Sequence, residues 1–223
     1  MKKRKTICCL FAHPDDETFG PGGTIAKLAK SHDVYLITLT KGEAGEWHGE
    51  HTTHTLAELR ERELKAAAKI LGIKKVYFLG FTDGELCNKY YHDIAAKAEP
   101  ILRRLKPVTL VTLEPRGLSG HLDHIAASMI TSFLFHRLPF IKKVMQYCHT
   151  EERAAKRRKQ GYFVYVPPGY KQRDIGETID IARYWETKVR AMHAHRSQIR
   201  DPDDHMKWIS QFPKEENFLI LKR

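Results

Sequence analysis

Short, unbroken apolar runs, each ending in a polar loop and followed by a segment of helical period, recur through the first two thirds of the chain. The first, Thr6 to Phe11, leads through Ala12 into His13-Pro14-Asp15-Asp16-Glu17; others cover Val34 to Thr40, Lys75 to Leu79 and Val108 to Leu113. They are continuous rather than alternating, which predicts strands buried on both faces, as in a parallel sheet covered by helices. Between them, Gly20 to Gly23 reads as a flexible loop, and Thr24 to Lys30 as a helix with Ile25, Leu28 and Ala29 on one face. Thr55 and Glu58 have capping-box spacing, Leu56, Leu59, Ala67, Ile70 and Leu71 follow at helical period, and Gly72 closes that helix. A helix from His92 to Leu105 stops before Pro107, and another runs from His121 through Phe135. Strands are expected at Lys143 to Tyr147 and Tyr162 to Val166, joined by a basic connection, with a helix from Ile179 to Arg196. The alternation predicts an α/β, Rossmann-like three-layer fold with a mostly parallel central sheet. No repeat or linker divides the sequence, so residues 1–223 read as a single domain.

Composition narrows the class. With 42% apolar and 29% charged residues the chain reads as a globular protein, and no apolar run is long enough to span a bilayer. Met1 to Lys5 is basic like the start of a signal peptide, but only a short apolar run follows and no small-residue cleavage site comes after it; a cytoplasmic location is expected. Cys8, Cys9, Cys87 and Cys148 lack metal-type spacing and read as reduced, mostly structural thiols. The net charge of +11 raises the alternative of a noncatalytic basic nucleic-acid-binding module. Much of the excess sits in Lys2 to Lys5, Arg153 to Lys159 and Lys222-Arg223, where solvated faces are the commoner explanation. Nucleic acid and membrane are therefore not expected partners.

Candidate chemistry collects at two loops. In such sheets the first and fourth strands flank the topological switch point, where ligands bind at the strands' carboxyl ends. The loop at His13 should then face the one at Gly120, bringing His13, Asp15, Asp16, His121, Asp123 and His124 to one crevice. Two imidazoles and a carboxylate with an open fourth position suit catalytic zinc. Each piece alone is ordinary: His-Pro-Asp-Asp can be a turn with a capping carboxylate, and His-x-x-His at a helix start arises by chance. Their conjunction after two neighbouring strands is not. A dinucleotide site is disfavoured, since no Gly-x-Gly-x-x-Gly follows the first strand and carboxylates stand where phosphate would lie.

Ala12-His13-Pro14-Asp15-Asp16-Glu17 and Gly120-His121-Leu122-Asp123-His124 resemble the two signature motifs of the PIG-L/LmbE-like family of zinc-dependent N-acetylglucosaminyl deacetylases. Thr40-Lys41-Gly42-Glu43, Arg60-x-x-Glu63 and the segment Lys188 to Gln198, ending in His-x-Ser-Gln, resemble further family motifs in the same order. The resemblance implies that His13, Asp16 and His124 bind Zn2+, or another divalent metal such as Fe2+, and that Asp15 is the general base. It implies that His121, oriented by Asp123, assists the oxyanion or protonates the leaving amine, and that Arg60 contacts substrate. An Arg60 to Glu63 surface pair is the plain alternative. The implied substrate is a small N-acetylated amino sugar or its conjugate, and relatives often form homo-oligomers. His195 reads equally as a residue near the site or as a surface helix histidine. Arg116 could reach the crevice from the fourth loop, and His48, His51 and His54 lie on a loop without a fixed scaffold.

Overall fold

The structure, a computed structural model, describes residues 4–48, 53–159, 165–200 and 202–223, with only the backbone for 202–205. Strands β1 (Thr6–Phe11), β2 (Asp33–Thr38), β3 (Lys75–Phe78), β4 (Thr109–Leu113), β5 (Lys143–Cys148), β6 (Glu177–Asp180) and β7 (Glu215–Lys222) form one sheet, ordered β3-β2-β1-β4-β5-β7-β6. The first five run parallel, while β7 is antiparallel to both β5 and β6. The helices are α1 (Asp16–Phe19), α2 (Gly22–Ala29), α3 (Leu56–Leu71), α4 (Tyr91–Leu105), α5 (Gly117–Gly120), α6 (Leu122–Arg137), α7 (Glu151–Arg158), α8 (Trp185–Met192) and α9 (Pro202–Ile209).

The period-two geometry of β1 divides the core. Cys8, Leu10 and Ala12 pack on one side with Ile94, Ala98 and Leu102 of α4 and Ala127, Ile130 and Leu134 of α6. Ile7, Cys9 and Phe11 pack on the other with Ile25 of α2, Leu64 and Ala67 of α3 and Ala191 of α8. Helices thus cover both faces, which is why the strand sequences are apolar throughout. Cys8 and Cys9 consequently point into opposite layers as free thiols, and burial pushes both above the usual thiol range.

The pairing of β1 with both β2 and β4 sets the functional edge. Ile7 stands opposite Thr109 and Cys9 opposite Val111, so the two chains leave the sheet side by side toward His13 and Glu114. The capping box at α3 forms as expected: the Glu58 amide donates to Thr55 Oγ1 (3.3 Å) and the Thr55 amide to Glu58 Oε2 (3.0 Å). Gly72 ends that helix at φ 81°, a left-handed cap that favours glycine.

Four expectations need correction. Gly22 and Gly23 are not a flexible loop but the buried first residues of α2; Cβ at Gly23 would lie 2.6 Å from Ile181 Cδ1, so glycine allows helix and turn to touch. The basic connection after β5 contains α7, capped by Thr150, whose Oγ1 accepts from the Arg153 amide (3.3 Å). The helix expected from Ile179 to Arg196 is shorter: Ile179 lies in β6, pairing with Glu216 of β7, and α8 covers only Trp185–Met192. Tertiary pairing with a strand near the end of the sequence overrides the local helical pattern there, and β7 itself was not anticipated. Of the strand expected at 162–166, residues 162–164 lie outside the described residues, and Tyr165 and Val166 are not in a strand.

Candidate metal centre

The loop after β1 and the start of α6 bring His13, Asp16 and His124 together, each offering a ligand atom within 4.8 Å of the others. His13 Nδ1 lies 3.0 Å from His124 Nε2, and His124 Nε2 lies 3.1 Å from Asp16 Oδ1. The remaining polar atoms are committed elsewhere. His13 Nε2 faces Asp83 Oδ1 at 2.8 Å and Asp123 Oδ2 at 3.2 Å, while His124 Nδ1 donates to the Gly117 carbonyl at 3.0 Å. Asp16 Oδ2 accepts the amides of Ala12 (3.1 Å) and His13 (3.0 Å). Each imidazole therefore has its far nitrogen fixed by an acceptor and its near nitrogen turned inward, the outer-shell arrangement that orients histidine ligands. Two nitrogens and a carboxylate oxygen converging in this way fit a divalent cation such as zinc.

Charge in the cluster follows from these contacts. Burial opposes protonation of His13, but the hydrogen bonds to Asp123 and Asp83 prevail and raise its pKa to about 10. Burial likewise opposes ionisation of Asp16, yet His124 and His13 hold its carboxyl well below the usual carboxylate range. The carboxylates of Asp16, Asp83 and Asp123 around His13 thus favour positive charge at this cluster.

Asp15 stands beside this set with its carboxylate turned to Arg60. The guanidinium donates from Nη2 to Asp15 Oδ2 (3.0 Å) and to the Pro14 carbonyl (2.5 Å), and from Nη1 to the Gly42 carbonyl (2.8 Å). Burial, with Asp16 reinforcing it, outweighs Arg60 and pushes the Asp15 pKa up to about 6, the range suited to a general base near neutral pH. Its backbone has φ 124° and ψ −27°, a conformation seldom taken by a non-glycine residue. His121 is the N-cap of α6, and its ring lies 4.7 Å from that of His13 and 4.9 Å from that of His124. Its Nδ1 accepts the Asp123 amide (3.2 Å), which leaves the ring proton of the neutral form on Nε2. Burial and the two neighbouring imidazoles push its pKa down.

The expected residues sit together, with several changed partnerships. The Asp123 carboxylate accepts the amides of Gly84 (2.8 Å) and Leu86 (3.1 Å) and faces His13, so it is the Asp123 backbone rather than its carboxylate that contacts His121. Arg60 does not pair with Glu63 on the surface. Both are buried, and Glu63 accepts the amide (2.8 Å) and hydroxyl (2.7 Å) of Ser197. His195 is not a surface histidine either: it is fully buried, and Nε2 donates to Glu17 Oε1 at 2.8 Å. Arg116 stacks on Tyr170 with its guanidinium 4.0 Å from the ring centre and pairs with Glu114. His48 contacts Glu46, His54 contacts Arg62, and His51 lies outside the described residues.

Asp83 escaped the sequence reading, although its signal was present: an aspartate in the loop after β3, at the same end of the sheet. With His13 and His121 it forms a second group of converging ligand atoms among the described residues. Because the Asp83 oxygen is 2.8 Å from the outward Nε2 of His13, its contact is that of an orienting acceptor.

The family described as GlcNAc-PI de-N-acetylase (PIG-L) matches residues 8–134, more than half of the chain and both loops of the cluster. Diacetylchitobiose deacetylase of Thermococcus kodakarensis is 32% identical over 204 residues, covering 90% of this chain and 72% of that protein. A 1D-myo-inositol 2-acetamido-2-deoxy-alpha-D-glucopyranoside deacetylase of Saccharomonospora viridis is 30% identical over 228 residues, covering 85% and 84%. Among solved structures, N,N'-diacetylchitobiose deacetylase from Pyrococcus horikoshii superposes with a TM-score of 0.73 at 26% identity, over 99% of this chain and 85% of that one.

Proposed function

The chain belongs to the PIG-L family, and from that premise we propose that it is a single-domain, metal-dependent deacetylase that hydrolyses the N-acetyl group of an N-acetylglucosamine-type sugar or soluble conjugate. The observation that carries the reading is the convergence of His13 Nδ1, Asp16 and His124 Nε2 beside an aspartate whose pKa is raised to about 6. In this reading His13, Asp16 and His124 hold the cation. A divalent ion held there, zinc or another such as Fe2+, would act as a Lewis acid, making a water more acidic and polarising a carbonyl.

Asp15 takes the proton of the attacking water, and the oxygen adds to the acetamide carbonyl. His121 Nε2–H, in the neutral form its lowered pKa favours, stands to donate to the developing oxyanion, and the amine that leaves as the C–N bond breaks takes up the proton that Asp15 removed from the water. Asp83 and Asp123 hold His13 in place through Nε2. Arg60, which the resemblance implies contacts substrate, donates to Asp15, Pro14 and Gly42, contacts that support a role in aiming the base. The relatives are named for a disaccharide and for an inositol conjugate, which supports an amino-sugar substrate. Among the described residues no helix is long and apolar enough to cross a membrane.

The test is an assay for free amine and acetate over N-acetylglucosamine, N,N'-diacetylchitobiose and the inositol and malate conjugates of N-acetylglucosamine, with metal content measured in the same samples. Amine release from at least one, lost on chelation and restored by a divalent ion, is expected. Metal-loaded protein that cleaves none of them would overturn the proposal.

A further inference from the structure

Glu17 and His195 form an ion pair that the chemistry above does not use. Both are fully buried, with His195 Nε2 2.8 Å from Glu17 Oε1. Such a pair is weak evidence for stability, because the cost of removing both groups from water offsets much of their attraction. Its use is visible at the second carboxylate oxygen, where Glu17 Oε2 accepts the Asp15 amide at 3.0 Å.

Asp15 needs that support. Its φ of 124° belongs to sparsely populated conformations that persist only where the surroundings enforce them. The Asp15 carbonyl accepts the amides of Thr18 (2.9 Å) and Phe19 (3.0 Å), Arg60 fixes the carboxylate, and Glu17 fixes the amide. Glu17 is in turn fixed by His195, which follows α8 and precedes the turn at Arg196–Gln198. Two residues on, Ser197 clamps Glu63 of α3, the helix that carries Arg60. The segment at 195–197 thus reaches both groups that hold Asp15.

We propose that His195, acting through Glu17, is a positioning residue that keeps the Asp15 backbone in its strained conformation and its carboxylate aimed at the attacking water. This rests on the deacetylase reading for its consequence, but not for its geometry. In His195→Ala and Glu17→Ala, metal content and KM should stay at wild-type values while kcat falls on the order of tenfold to a hundredfold, the loss expected when a reacting group shifts by about 1 Å. The double variant should lose no more than the worse single variant, because the two residues act in series. His195→Gln, which keeps a donor at that end, should recover most of the loss.

A second readout needs no substrate. In the amide NMR spectrum the Asp15 N–H, bonded to a carboxylate, should move upfield in Glu17→Ala and by a smaller step in His195→Ala. Wild-type kcat in a folded His195→Ala protein, or an Asp15 amide that does not move, overturns the proposal. If the wild type deacetylates nothing, the functional reading fails while the NMR result still decides the relay. If His195→Ala does not fold, Glu17→Gln and His195→Gln carry the test: kcat must change in step with the Asp15 amide, and a change without that shift also overturns it.

Discussion

His13 and Asp15 stand two residues apart on one loop, yet their surroundings drive them to opposite tasks. His13 is enclosed by Asp83, Asp123 and Asp16 and favours a positive charge or a cation at its side. Asp15 shares its carboxylate with Arg60 alone among those groups and keeps a pKa near that of a working base. Replacing Asp15 by Asn should therefore preserve metal while lowering kcat by roughly 10²–10⁴-fold, the usual worth of a positioned general base. Metal analysis beside kcat decides this: loss of both together would make Asp15 a ligand. His124→Ala should lose the metal outright, because it removes one of only three protein donors in the proposed set. His121→Ala should retain metal and lose turnover, and a near-normal rate would remove His121 from the chemistry. At this scale the sequence was informative where chemistry-bearing residues are adjacent, as in His13 to Asp16. It was silent on Glu17 with His195, 178 positions apart, since neither residue type nor spacing reports a pair made only by folding.

Elements place these residues through contacts that are partly local and partly not. Five strands, β1 to β5, were legible, most of them because burial on both faces leaves unbroken apolar runs, and α3 because its capping box and terminal Gly72 are short-range signals. β6 and β7 were not, since their pairing depends on segments far apart in sequence and β6 has only four residues, with polar Glu177, Thr178 and Asp180 around Ile179. The turn after β6 explains Gly23. A methyl group there would fall within 2.8 Å of three Ile181 atoms, Cβ among them, so α2 or the turn would have to shift. Gly23→Ala should destabilise by about 1–3 kcal/mol, as overpacking does. For a chain of this size each kcal/mol lowers Tm by about 2–4 °C, which a thermal melt resolves. An unchanged melting temperature would mean that α2 slides freely over the turn. The loss should extend to the site, because α2 follows directly on α1 and the loop that holds Asp15.

For the molecule as a whole, the formal charge of +11 proves less informative than its distribution. Basic side chains are interleaved with acids: Lys41 and Lys65 with Glu61, Arg103 and Arg137 with Glu99, Lys143 with Glu177, and Lys156 with Glu152. Each of these pairs offsets positive charge locally, so the net excess overstates the charge presented at these points. A more telling charge effect is internal. His149 follows β5 in a buried position, its Nδ1 without a hydrogen-bond partner among the described residues, and burial together with Arg153, Arg157 and Lys188 pushes its pKa well below the ordinary value. An unfolded chain binds a proton at this imidazole below about pH 6.5, whereas the folded chain does not until much lower pH. The stabilisation from keeping His149 neutral is accordingly present above that value and is lost as pH falls toward the depressed folded pKa, at up to about 1.4 kcal/mol per pH unit for one group. Denaturant unfolding between pH 5 and 7 should show wild-type stability falling with acidity, and His149→Leu, which cannot bind the proton in either state, should fall less steeply. Equal slopes for the two proteins would mean that another group governs acid unfolding.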